Sequence, residues 1–147
     1  MSQTLFRGFD SVSQRPFSLL RNNFGVAEAW GFYLKNGPPS WLIESPHPVA
    51  DENTEDIALE IWRRIPHSML MVAGAHRQAG GPGGNQGLAD VPWNSGSMFN
   101  KVAEHYMPRP QLQVHGFTNS TAPDKDIVLA SGSAPAKQLH IDLADAF

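Results

Sequence analysis

The chain has 147 residues, of which 41% are hydrophobic and 17% charged, and its formal net charge is −3. That balance suits one globular domain and rules out a disordered chain, and it lacks the basic footprint of a nucleic-acid binder. There is no cysteine, which excludes disulfides, thiolate nucleophiles and Cys-ligated zinc.

In residues 1–26, Phe6, Phe9, Phe17, Leu19, Leu20 and Phe24 follow neither the helical nor the strand period. Pro16 breaks any long helix, so this stretch reads as a covering arm with a short helical turn. Its first residues lack a basic segment followed by an apolar core, and no apolar run is long enough to span a bilayer. A cytoplasmic protein without a membrane partner is the expectation. Residues 27–34 read as a strand, Lys35-Asn36-Gly37-Pro38-Pro39 as a turn, and residues 40–45 as the next strand. Two apolar runs flanking an Asn-Gly turn predict a hairpin.

Asn53 or Thr54 caps a helix to about Ile65, with Ile57, Ala58, Ile61, Trp62 and Ile65 as its apolar stripe. Glu55 and Asp56 at its start and Arg63 and Arg64 at its end suit the helix dipole. Residues 69–73 form a continuous apolar run, as in a strand buried on both faces. Strand, helix and strand together make a βαβ unit. Residues 78–88 form a mobile Gly-rich loop without the Gly-Lys-Ser/Thr ending of a phosphate loop. Ser95 or Ser97 caps a second helix to about Tyr106. Residues 111–114 and 126–130 are further strands, and residues 135–146 a last helix. The predicted fold is α/β: a three-layer sandwich with a mostly parallel sheet of four or five strands and an N-terminal hairpin, in one domain over residues 1–147.

His47, His76 and His115 each lie just beyond a predicted strand end. If those strands are parallel, all three share one edge of the sheet, where ligands bind in open α/β folds. Asp51 and Glu52 follow His47 closely. His47, His115 and either Asp51 or Glu52 make the three-ligand set of a hydrolytic zinc site, which leaves one position open for water. The acids have a plainer reading as helix caps, strongest for Glu55 and Asp56. His67, His105 and His140 are expected at helix ends or on the surface. Arg77 suits a two-pronged bond to a substrate carboxylate, and Asn94 lies near a helix N-terminus, an anion-friendly position. No Gly-x-Ser-x-Gly elbow is present and no pair of acids is singled out for glycosidase chemistry.

The segment Pro46-His47-x-x-x-Asp51-x-x-Thr54-Glu55, and later Val114-His115-Gly116-Phe117, resemble the metal motifs of zinc-dependent amidohydrolases related to N-formylglutamate amidohydrolase and phage-type poly-γ-glutamate hydrolase. The resemblance spans roughly residues 40–132. It implies Zn²⁺ on His47, Asp51 and His115, and hydrolysis of an amide bond in a small or peptide-like acidic substrate. It puts Arg77 and the segment holding Asp90 and Asn94 in contact with substrate; His76 is expected to contact substrate as well, and Asp51 and Glu52 are the acids expected to serve catalysis. Two departures stand out. The acidic ligand is ambiguous between Asp51 and Glu52. No general-base glutamate follows His115, and Asp124 and Asp126 are poor substitutes, which suits a minimal or incomplete version of such a domain. The rival expectation is a non-catalytic α/β binding or assembly module, with an open sheet edge covered by a partner or a second copy in a homo-oligomer.

Overall fold

The computed structural model describes residues 3–22, 31–79, 88–118, 120–124, 127–128 and 130–131. The chain divides into two compact units, Met1–Gly116 and Phe117–Phe147. All regular elements described lie in the first. In the second, the described residues are turns and extended chain, with Thr121 and Ala122 donating backbone hydrogen bonds to the Thr118 carbonyl.

The strands are β1 (Gln3–Asp10), β2 (Arg15–Asn22), β3 (Phe32–Lys35), β4 (Trp41–Ser45), β5 (Ser68–Val72) and β6 (Gln111–Gln113). Helix α1 (Thr54–Arg64) connects β4 to β5, and α2 (Met98–Tyr106) precedes β6. The sheet order is β1-β2-β3-β5-β4-β6. Pairings along β1-β2-β3-β5 are antiparallel, and only β5-β4-β6 is parallel. The expected mostly parallel α/β sandwich of four or five strands is therefore corrected. The sheet has six strands, is mixed and mostly antiparallel, and carries only two helices among the described residues.

Two errors of reading account for this. The stretch taken for a covering arm is a hairpin, in which Leu5 pairs with Leu20 and Phe6 with Leu19. Asp10 accepts a bond from the Ser13 backbone and Gln14 has a φ of 55°, so side-chain turn chemistry closes the loop without an Asn-Gly signal. The predicted hairpin over residues 27–45 does not form, because β5 lies between β3 and β4. Asn36 is diverted from turn duty. Its Oδ1 accepts from the Ser68 backbone at 2.8 Å and its Nδ2 donates to the Ile65 carbonyl, which fastens the start of β5 beside β3.

The core follows from alternation along β4 and β5. Ile43, Leu70 and Val72 pack with Ala58 and Trp62 of α1. Leu42, Met69, Met71 and Tyr33 pack with Phe99 of α2 and with Val91. Helix α1 turns Thr54, Ala58 and Trp62 inward, while Ile57, expected in the stripe, is exposed. Each large side chain fully buried here contributes about 2 kcal/mol, so these two clusters hold the central strands rigidly. Because β4 and β6 both run parallel to β5, their carboxyl ends emerge at one edge.

The residues 126–130 expected as a strand are only partly described, and those that are form no strand. The expected helix over 135–146 and most of the 78–88 loop lie outside the described residues. No helix among the described residues is long and apolar enough to cross a membrane.

Candidate metal centre

Strand β4 ends at Ser45, and the next residues fold back on themselves. The backbone N–H groups of Ala50 and Asp51 both donate to the His47 carbonyl, at 2.9 and 2.8 Å. This turn brings Asp51 under His47. Thr54 then locks it, donating from Oγ1 to the Asp51 carbonyl at 2.8 Å and sharing a 3.1 Å bond with the Ser45 hydroxyl. Asn53, at φ 64°, makes the kink into α1 without capping it through its side chain. Two residues beyond β6, His115 arrives at the same place. Gly116 lets its backbone come close: a Cβ there would stand 3.2 Å from the Asp51 Cβ.

Asp51 Oδ2 is 3.5 Å from Nδ1 of His47 and 3.5 Å from Nδ1 of His115. The two imidazoles lie 5.2 Å apart between centroids, tilted by 60°. The other nitrogen of each ring faces an acceptor: His47 Nε2 is 2.8 Å from Asp90 Oδ1, and His115 Nε2 is 3.2 Å from Gln113 Oε1. A carboxylate and a carboxamide oxygen only accept, so both Nε2 atoms carry the proton and both Nδ1 lone pairs point inward. Buried His47 Nδ1 has no hydrogen-bond partner. In those tautomers two nitrogen lone pairs and a carboxylate oxygen converge, a donor set suited to a cation.

His47, Asp51 and His115 form a group that can hold a metal ion. Their ligand atoms lie within 4.8 Å of one another. The two 3.5 Å separations match the edge of a tetrahedron with bonds of about 2.1 Å. The same edge applied to the widest pair, within 4.8 Å, means that closing on an ion draws it in by about 1.4 Å. His115, 42% exposed, has the freedom to move. Its pKa is pushed below the ordinary histidine value, chiefly by burial and against the opposing pull of Asp51. That favours a neutral ring, the form that binds metals.

Behind the ligands, Asp90 is completely buried; besides His47 it meets Arg77 Nη2 at 3.5 Å. A carboxylate holding the far nitrogen of a ligating histidine is the usual support of a metal site. Asp90, expected to touch substrate, stands behind His47. Glu52 is exposed and outside the ligand group. His76 is exposed, with Nδ1 accepting from the Gln78 backbone at 3.2 Å, and does not join. Asn94 is bound into its own loop, donating to the Leu88 carbonyl and accepting from the Gly96 backbone. Ser97 caps α2, accepting from the Asn100 backbone. His67 and His105 are exposed, and His140 lies outside the described residues.

Comparison with protein-family models, with curated proteins and with solved structures finds no match to this chain. The site therefore rests on its own geometry. Two contributors to it escaped the sequence reading. Glu44 is fully buried, and burial raises its pKa to about 7 against the opposing bond from Gln113. Gln113 donates from Nε2 to Glu44 Oε2 at 2.7 Å. The signal for Glu44 was a lone charge directly after the apolar run Trp41-Leu42-Ile43, still within β4. For Gln113 it was a position two residues before a candidate ligand, the spacing that keeps to one side of an extended chain.

Proposed function

We propose that this chain is a zinc-dependent hydrolase that cleaves an amide bond in a small or peptide-like acidic substrate. The observation that carries the reading is the convergence of His47 Nδ1, Asp51 Oδ2 and His115 Nδ1, with buried His47 Nδ1 left without a hydrogen-bond partner. Two nitrogens and one oxygen are a hydrolytic zinc donor set, closed on the protein side and open on one other. The motif resemblance around His47 and His115 supports the same chemistry. When bound, the ion supplies Lewis acidity at neutral pH. The chain's own residues do the rest. Asp90 and Gln113 hold the two rings in their ligating tautomers. Arg77, partly exposed beside Asp90, offers its guanidinium to a substrate carboxylate. Glu52, an exposed acid outside the ligand set, is the group we assign to proton transfer.

The full chain is expected to bind one equivalent of Zn²⁺ by titration calorimetry, and to release glutamate from N-acyl or γ-linked glutamyl amides. His47→Ala and Asp51→Asn should each lower zinc affinity at least 100-fold. A wild-type chain that takes up no zinc, nickel or cobalt ends the proposal.

A second reading, an assembly module, is favoured by one observation: β1 is an eight-residue edge strand with Leu5 and Phe9 exposed. Such an edge is a template for a second chain.

A further inference from the structure

We infer that Glu44 is a positioning residue for the metal centre: from inside the sheet it sets the tautomer of His115, through Gln113. The inference rests on the proposed metal site for its purpose, but its geometry is independent of any ion.

Glu44 and Gln113 stand opposite each other in the parallel pairing of β4 with β6. Both line a cleft of about 220 Å³ beside α2, together with Phe99, Asn100 and Gln111. A glutamine side chain is nearly symmetric, and turning it over exchanges its donor and acceptor ends. In isolation Gln113 has no reason to show His115 an oxygen in preference to an NH₂. Glu44 supplies the reason. Its Oε2 accepts the 2.7 Å bond, so the Gln113 nitrogen must face the sheet interior. The Gln113 oxygen must then face outward, 3.2 Å from His115 Nε2. That oxygen requires a proton on Nε2, which leaves Nδ1 bare and aimed at Asp51 Oδ2.

The other orientation of Gln113 would present a donor to Nε2 and shift the proton to Nδ1, where an ion has to bind. Ionised Glu44 can only accept, and that is what fixes the carboxamide. This also accounts for a carboxyl in a place where burial alone is unfavourable to it. An apolar residue at position 44 would pack as well, but it would leave the carboxamide free to turn.

The test is the tautomer of His115, read by long-range ¹H–¹⁵N correlation NMR on the metal-free full chain, together with Zn²⁺ affinity by chelator competition. The wild type should show His115 as the Nε2–H form. In Glu44→Met the signals should move to a mixture of tautomers, and zinc affinity should fall 10- to 100-fold, the range usual for lost ligand-orienting partners. Gln113→Met changes an exposed residue and should give the same two effects, which decides the matter if Glu44→Met does not fold. A folded Glu44→Met or Gln113→Met that keeps the pure Nε2–H form overturns the inference. If the wild type binds no zinc but its tautomer shifts in the variants, the hydrolase reading fails and the positioning role of Glu44 stands.

Discussion

Glu44 accepts a single hydrogen bond in a sheet that otherwise gives it nothing, and the consequence is measurable. Its folded pKa of about 7 lies above the ordinary 4.5. Between those values the folded chain holds a proton that the unfolded chain has released. Stability therefore falls as pH rises through that window and levels off above it. The size of the loss is on the order of 3 kcal/mol. Denaturant midpoints of the wild type should be lower at pH 8 than at pH 5, and in Glu44→Met this slope should disappear. Function at this scale was half legible. His47, Asp51 and His115 could be chosen because their residue types are ligands and their positions follow strands. The tautomers could not, since they depend on Asp90 and Gln113, 43 and 2 residues away in the chain. No local pattern marks the pairing of His47 with Asp90.

At the scale of elements, the β1–β2 hairpin is tied to α1 by charge. Arg63 reaches Asp10 at 3.3 Å, and Arg15 donates to the Arg63 carbonyl at 3.2 Å. Bonds from Ser13, then Arg63, lower the Asp10 pKa from 3.8 to about 2. A depressed carboxylate stabilises above its ordinary pKa and loses that contribution as pH falls through the folded value. Amide exchange in β1 and β2 should accordingly accelerate between pH 4 and pH 2, ahead of exchange in β4 and β5. In Asp10→Asn that step should be missing. Equal acceleration in all four strands would show that the tie has no local role. Helix α1 was readable because Ala58 and Trp62 recur at helical spacing. The hairpin was not: its apolar residues face both sides, with Leu5 and Phe9 exposed, so the alternation that betrays a strand is blurred.

For the whole molecule, the sheet has two halves with different jobs. The antiparallel half, β1-β2-β3, is a wall. The parallel half, β5-β4-β6, delivers both histidines to one edge. The expected convergence needed only that second half, which is why it could be reached from a fold assignment that was otherwise wrong. The extrapolation from one βαβ unit to a parallel sheet failed because β3 enters antiparallel beside β5, where the Asn36 side chain bonds the Ser68 backbone. The exposed β1 edge sets a further expectation. If it recruits a second chain, light scattering should give a dimer that Leu5→Lys with Phe9→Lys converts to monomer, with zinc binding unchanged. A wild type that stays monomeric at high concentration removes the assembly reading.

Strand β6 has three residues and, among the described residues, one neighbouring strand, β4. So short a ribbon gains little from its own ladder. An ion shared between the exit of β4 and the tail of β6 would act as a clasp, fastening two stretches of backbone far apart in the chain. Chelation would then open the molecule from that margin inward, leaving the central strands, wedged between Trp62 and Phe99, in place.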